Sequence, residues 1–125
     1  ADVECIKPFT DDILSQRAFT CKESSGRWIS ATIAAEKNHP WVQRVLKYYL
    51  KHNFVYDPKS VTNTVIIDEI NKKWYKETKN GIIYLHEGVA IYDRHYFECK
   101  NWSTKQIELD KNSFCIHHYE GSWLK

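Results

Sequence analysis

Hydrophobic residues recur at helical spacing in two stretches of the first half of the chain. Proline suits the first turn of a helix, so Pro40 marks the start of a predicted helix whose apolar face is Val42, Val45, Leu46, Tyr49 and Leu50. A second helix is predicted from Thr62 or Asn63, either of which can cap it, and its apolar stripe is Ile66, Ile67, Ile70 and Trp74. Residues 11–17, after Thr10, predict a shorter helix.

Alternation of apolar and polar positions predicts strands in the remaining chain. Residues 28–35 alternate with period two and predict a core strand, and residues 3–9 predict a short one ending toward a turn. Asn80-Gly81 is a strong turn signal, and the strands expected beyond it are residues 82–85, 89–92, 106–110 and 114–119. The predicted class is therefore α+β (mixed α/β), with helices packed on a small mixed sheet in a single domain over residues 1–125.

Composition and charge limit the partners and the setting. A chain of 125 residues with 42% hydrophobic residues can bury one core, and its net charge of +2 is spread without a basic block, so nucleic acid is not expected as a partner. The sequence contains no run of 18 apolar residues, so no transmembrane segment is predicted, and no signal peptide is recognisable. The four cysteines are scattered without a Cys-x-x-Cys pair, which favours reduced thiols. We expect a cytoplasmic protein, either free or held peripherally at the inner face of the membrane.

The C-terminal stretch, residues 114–123, carries most of the candidate chemistry. It places two imidazoles, a carboxylate, a hydroxyl and an indole just beyond an apolar, strand-like run. In an extended chain His117 and His118 point to opposite faces, so at most one of them is expected to be a ligand. The plain alternative is that one imidazole belongs to the core and the other is solvated.

Two ends of the chain resemble one family of enzymes. His118-Tyr119-Glu120-Gly121-Ser122-Trp123 resembles the C-terminal metal-histidine motif of glycosyltransferases with the GT-A fold, and residues 116–123 are similar to the ending of family-thirty-two sugar transferases that carry a DXD motif. Ala1-Asp2-Val3-Glu4, with Lys7-Pro8-Phe9 after it, resembles the sequence through and past that motif, and residues 33–40 and 91–97 are similar to further segments. The first aspartate of the motif would precede Ala1, so the chain is expected to be the C-terminal half of such a transferase.

The resemblance implies an activity and a set of site residues. It implies transfer of a sugar from a nucleotide-sugar donor to a glycan or lipid-linked acceptor, with retention of configuration, in synthesis of a polysaccharide such as a capsule. Asp2 and His118 would be ligands of Mn²⁺ or Mg²⁺, and Ser122 and Trp123 would lie against the donor diphosphate. Weaker candidates for the acceptor sugar are Asp93 and His95, and the aromatic residues that either stack on sugars or pack in the core are Tyr92, Tyr96, Phe97 and Trp102.

Two other classes of function remain open from the sequence. One is a non-catalytic carbohydrate-binding or interaction module, and the other is a metal-dependent hydrolase that uses Asp2, His117 and His118. If half of a transferase is missing, the surface left behind should be apolar and should favour self-association. Glycan binding without turnover would favour the module, and turnover of a substrate without a nucleotide would favour the hydrolase.

Overall fold

The computed structural model describes residues 2–53 and 61–120 of the chain. Within those residues the chain forms three α-helices and seven strands, with a 3₁₀ turn at Arg94–Tyr96. In chain order they are β1 (Val3–Cys5), α1 (Asp11–Leu14), β2 (Ala18–Cys21), β3 (Ala34–Ala35), α2 (Pro40–Lys51), α3 (Asn63–Lys73), β4 (Tyr75–Lys79), β5 (Ile82–Leu85), β6 (Val89–Tyr92) and β7 (Cys115–His117). The predicted α+β class is confirmed.

Two sheets organise the described residues. The larger has the strand order β3-β2-β6-β5-β4, and it is mixed because β2 and β6 are parallel while the other neighbours are antiparallel. The smaller is a single antiparallel pair, β1 with β7, which joins the two ends of the chain. The small mixed sheet expected from the sequence is therefore present, and the terminal strands form a separate ladder beside it.

The core lies on both faces of the larger sheet. β2 and β6 are buried along their whole length, and alternate side chains of each strand enter opposite clusters, as a period of two requires. One cluster includes Phe19, Tyr92 and Phe97 and receives β7, while the other includes Ala18 and Ile91 and receives α2 and α3 through Trp41 and Ile67. The sheet is thus sandwiched between the terminal ladder and the two longer helices.

Helix α2 begins at Pro40 as predicted, but the residue that it buries in the core, Trp41, is not part of the predicted apolar face. The side chain of His39 caps the helix by accepting a hydrogen bond from the N–H of Trp41, and Trp41 is 2% exposed. The predicted apolar face lies largely outside the core, since the residues of that face more than two-fifths exposed are Val42, Leu46, Tyr49 and Leu50. The helix boundary was predictable, whereas the buried face was not.

Helix α3 begins at Asn63 with Thr62 at the N-cap, which confirms the predicted start. Ile67 enters the core, and Asp68 forms an ion pair with Lys72, one turn further along the helix, at 2.6 Å. Asp68 is also nearly buried and accepts the backbone N–H of Trp28 at 2.8 Å, so its carboxylate connects the helix to the chain before β3.

The turn predicted at Asn80-Gly81 is confirmed, and it closes a hairpin of β4 and β5. Both residues have left-handed backbones, with φ of 52° and 77°, as a tight hairpin turn of this kind requires. β5 and β6 have the predicted bounds. β4 was not predicted because every residue of it is exposed, so it has no apolar alternation; it is a charged edge strand.

The predicted core strand over residues 28–35 is wrong except at Ala34–Ala35. Ile29 is 1% exposed and Ile33 is 50% exposed, although a strand would place them on one face. Side chains replace the ladder there: Thr20 donates to the carbonyl of Thr32, and Asn71 donates to the carbonyl of Trp28 at 2.6 Å. The strand β2, which pairs with β6, was not predicted.

The remaining predicted elements differ mainly in length. The strand expected over residues 106–110 is wrong, since Ile107 forms only an isolated bridge with Lys100. The elements expected over residues 3–9, 11–17 and 114–119 are present but shorter. Where the structure describes the chain, no helix is both long and apolar enough to cross a membrane.

Candidate functional site

The terminal ladder brings together the two stretches that carry the candidate chemistry. Val3 pairs with His117, Glu4 with Ile116 and Cys5 with Cys115, and the N–H of His118 donates to the carbonyl of Asp2 at 2.7 Å. The first described residue therefore lies beside the histidine pair. The resemblance implied that these two ends meet at one site, and they do.

Asp2 and His117 form a carboxylate–imidazole pair. Nε2 of His117 lies 3.3 Å from the carboxylate of Asp2, which also accepts the N–H of Glu120 at 3.0 Å. Burial raises the pKa of Asp2, but the Glu120 N–H and the His117 ring more than offset it, so the carboxyl has a pKa below 3.8. Burial lowers the pKa of His117 below 6.5 despite the opposing effect of Asp2. At neutral pH the pair is a carboxylate and a neutral imidazole.

His118 has a different carboxylate as its partner. Its Nε2 lies 2.8 Å from Glu4, and its backbone carbonyl accepts the ammonium of Lys100 at 2.7 Å. The two imidazoles therefore point apart, as predicted, and the imidazole beside Asp2 is that of His117. The family spacing favours His118 as the ligand, so the geometry and the spacing select different rings.

Asp2 and His117 line a cleft of about 460 Å³. Its walls are the loop over residues 23–31, the start of α3 at Thr62, Asn63 and Thr64, and the side chains of Trp102 and Tyr119. Thr62 makes no side-chain capping bond within the described residues, and the first turn of α3 carries no acidic residue. The cleft is lined mainly by apolar surface, to which it adds hydroxyl and amide groups, an aromatic wall and one carboxylate–imidazole pair.

A buried carboxylate, that of Glu98, contacts two residues that line the cleft, Ser24 and Tyr119. Glu98 is 0% exposed and accepts the N–H of Ser24 at 2.7 Å. Burial raises the pKa of Glu98, and the neighbouring Tyr119 hydroxyl and the Ser24 N–H offset this only in part. Since Glu98 lies between Ser24 and Tyr119, it couples the loop to the end of the terminal ladder.

Tyr119 and Trp102 form the aromatic wall. The ring of Tyr119 lies 3.9 Å from that of His117 and 5.1 Å from that of Trp102, centroid to centroid. Tyr119 has a φ of 56°, a left-handed backbone that turns the chain at the end of β7. Trp102 is 46% exposed, and its backbone N–H donates to the hydroxyl of Ser24 at 3.1 Å. An indole held at a cleft while half exposed is well placed to contact a ligand.

The weaker candidates for acceptor binding lie away from the walls of this cleft. Asp93 caps the 3₁₀ turn by accepting the N–H of His95 at 3.2 Å, and it also contacts Nδ1 of that ring at 2.7 Å. Burial raises the pKa of Asp93, but these bonds from His95 more than offset it, so the pKa falls below 3.8. The other ring nitrogen of His95 faces Glu108 at 3.4 Å. A structural role accounts for each of these contacts.

Other candidates were placed as follows. Tyr92 and Phe97 are buried in the core and Tyr96 packs against it, so of the four aromatic residues considered, Trp102 is the one that lines the cleft. Ser122 and Trp123, expected beside the diphosphate, lie outside the described residues. Glu98 and Ser24 were missed, and the signal for Glu98 was a carboxylate inside the apolar run Tyr96-Phe97-Glu98-Cys99.

A divalent cation finds suitable donor types here but too few of them. Carboxylate oxygen and imidazole nitrogen suit Mn²⁺, and Asp2 with one of the histidines supplies both. Across residues 2–53 and 61–120, no three His, Cys, Asp or Glu side chains converge to hold an ion. The described side chains alone therefore do not complete a metal site, and further donors would have to join them.

The fold and cleft define an α+β protein whose terminal ladder presents a carboxylate–imidazole pair to a largely apolar cleft with an aromatic wall. The scan against protein-family models and the searches of curated proteins and of solved structures found no match to this chain. Membership of the sugar-transferase family therefore stays a prediction from the resemblance of the two ends.

Proposed function

We propose that this protein is a metal-dependent glycosyltransferase of the GT-A type. It moves a sugar from a nucleotide-sugar donor to a glycan or lipid-linked acceptor, with retention of configuration, in polysaccharide synthesis. The observation that carries the proposal is the β1–β7 ladder, because it holds Asp2 beside the C-terminal histidines, and Asp2 and His117 line a cleft. These are the two stretches in which the resemblance to the family is concentrated.

The proposed chemistry needs negative charge to be neutralised as the nucleotide diphosphate leaves. Mn²⁺ or Mg²⁺, when bound, supplies that neutralisation, and the proposed ligands are Asp2 and His118 with oxygens of the diphosphate as further donors. The low pKa of Asp2 keeps its carboxylate ionised at neutral pH. The hydrogen bond from the N–H of Glu120 fixes that carboxylate relative to the end of β7, and Ser122 and Trp123 are proposed to contact the diphosphate.

Sugar binding is proposed for the aromatic wall of the cleft. A pyranose ring presents C–H groups that pack on an indole and hydroxyls that need polar partners. Trp102 offers exposed indole, and the start of α3 offers the hydroxyl and amide groups of Thr62, Asn63 and Thr64 to the same cleft. A cleft of about 460 Å³ lies within the usual size of small-molecule sites.

A carbohydrate-binding module without catalysis is the second candidate. It is favoured by the absence, within the described residues, of three side chains that converge on one ion. In this case Trp102 would still bind sugar, but neither imidazole would be needed for turnover. The exposed apolar face of α2 is the kind of surface through which such a module would assemble, and self-association stays a prediction.

The deciding experiment compares the two neighbouring histidines. The natural full-length protein would be incubated with a panel of nucleotide sugars, Mn²⁺ and oligosaccharide acceptors, and release of nucleoside diphosphate would be measured for the wild type, His118→Ala and His117→Ala. We expect release that requires Mn²⁺, stops with a chelator and falls at least tenfold in His118→Ala.

The other outcomes would assign a different metal ligand or a different class of function. If His117→Ala abolishes release and His118→Ala does not, the metal ligand is the imidazole next to Asp2. The assignment of His118 from the resemblance is then wrong. If no donor is turned over while labelled glycans bind wild type and fail to bind Trp102→Ala, the protein is a carbohydrate-binding module. Turnover of a substrate that lacks a nucleotide would instead establish a hydrolase.

A further inference from the structure

Two cysteines lie directly opposite each other in the terminal ladder. The register pairs Cys5 of β1 with Cys115 of β7. The N–H of Ile6 donates to the carbonyl of Phe114 at 2.8 Å, and the N–H of His118 donates to the carbonyl of Asp2 at 2.7 Å. Pairs that exchange such bonds alternate along an antiparallel ladder with pairs that do not, so the cysteine pair is of the second kind.

That position brings the two side chains close together. In a pair without mutual backbone bonds the Cα atoms lie about 4.5 Å apart and both side chains emerge on the same face. Disulfides form at Cα separations of roughly 4.4–6.8 Å, so the backbone needs no large movement to accommodate one. The pKa of Cys115, raised to about 12 first by burial and then by the neighbouring Cys5 thiol, agrees with this proximity.

The two thiols differ in accessibility in a way that assigns their roles. Cys5 is exposed, whereas Cys115 is 3% exposed, and in the described residues all four cysteines are free thiols. The Cys5 thiol donates a hydrogen bond to the carbonyl of Lys7 at 3.3 Å, a contact that rotation of its side chain would release. A reagent in solution therefore reacts with Cys5 first, and Cys115 is the neighbouring thiol that reacts second.

We propose that Cys5 and Cys115 form a reversible disulfide that fastens β1 to β7. The oxidant is a low-molecular-weight disulfide of the glutathione class. The Cys5 thiolate attacks one sulfur of that disulfide, breaks its S–S bond and releases one small thiolate. Cys115 then gives up its proton and attacks the Cys5 sulfur, which expels the second small thiol. Both protein thiols are oxidised, and one small disulfide is reduced to two thiols.

The disulfide would act on the part of the fold that positions Asp2. The ladder consists of three residues on each side and stands apart from the larger sheet, so it is short of hydrogen bonds. A disulfide between Cys5 and Cys115 would keep Asp2 close to His117 even when hydrogen bonds of the ladder open. This proposal rests on the register of the strands and holds whether or not the protein transfers sugars.

The test equilibrates the protein in buffers of graded reduced and oxidised glutathione, followed by alkylation and peptide mass mapping. We expect one intramolecular cross-link between the peptides that contain Cys5 and Cys115, reversed by dithiothreitol. Cys5→Ser is the first variant, because Cys5 is exposed and the substitution leaves the core intact. In Cys5→Ser no intramolecular cross-link should form under the same conditions.

Thermal unfolding and hydrogen exchange supply readouts that do not depend on the mass map. The oxidised wild type should unfold on the order of 10 °C above the reduced form, while Cys5→Ser shows no such difference. The amide of His118 should exchange at least tenfold more slowly after oxidation. Cys5 that remains glutathionylated at equilibrium, or that cross-links between molecules, would overturn the proposal, as would a cross-link between Cys115 and Cys99.

Discussion

A buried amide holds the candidate cleft to the helices behind it, and its removal is the sharpest test of the packing described above. Asn71 in α3 is 0% exposed, its carbonyl accepts the indole N–H of Trp41 at 2.7 Å, and its NH₂ donates to the backbone carbonyl of Trp28 at 2.6 Å. One side chain thus joins α2, α3 and the segment that continues into the cleft wall at Ile29. Asn71→Leu keeps a side chain of similar size and removes both bonds.

The size of the effect follows from the partners that are left behind. A buried polar group that loses its hydrogen bond costs about 1–3 kcal/mol, and Asn71→Leu strands two of them, the Trp41 N–H and the Trp28 carbonyl. Burying the new apolar side chain offsets about 1–2 kcal/mol of that cost. We therefore expect the free energy of unfolding to fall by about 1–4 kcal/mol, out of a total on the order of 10 kcal/mol for a domain of this size.

The assay is urea unfolding followed by tryptophan fluorescence and circular dichroism. The control is Lys73→Gln, an exposed change in the same helix that should alter the free energy of unfolding by less than about 0.5 kcal/mol. A double-mutant cycle with Trp41→Phe sharpens the test, because both single variants break the same bond. The double variant should lose less than the sum of the singles by about 1 kcal/mol or more. Additive losses, or a loss in Asn71→Leu no larger than the control, would refute the reasoning.

Two further predictions concern the terminal ladder and the hairpin. Because burial holds the pKa of His117 below 6.5, the unfolded chain takes up a proton at a higher pH than the folded chain, so stability falls as the pH drops below about 6.5. His117→Gln should weaken that dependence in urea midpoints measured from pH 7.5 to 5, and an unchanged slope would contradict the assignment. Gly81→Ala places a Cβ on a residue with φ of 77° and should lower the free energy of unfolding by about 1 kcal/mol, whereas unchanged thermal unfolding would show that the turn relaxes.

Some of the candidate site was readable in the sequence. The divergence of the two imidazoles followed from the alternation of a strand-like end, whereas the meeting of Asp2 with the C-terminal histidines followed from the resemblance to the sugar transferases. Trp102 was one of four aromatic candidates that the sequence did not distinguish as sugar-binding or core residues. The structure distinguishes them, because the other three are buried or half-buried in the core. A carboxylate inside an apolar run marked Glu98 locally, but nothing local connected it with the cleft, because its partner Ser24 is far away in the chain.

The sequence by itself determined the elements whose signals are local. Pro40 after a capping histidine, the cap at Thr62 and the Asn80-Gly81 turn each act within a few residues, so α2, α3 and the β4–β5 turn could be located in advance. Only the tertiary structure decided which chain segment lies beside β6. Residues 28–33 alternate like a strand yet are held by side chains from other elements, while β2, with no alternation, is buried on both faces and takes that place. Burial on both faces removes the period of two, and partners distant in sequence supply the hydrogen bonds, so neither choice is written in the local pattern.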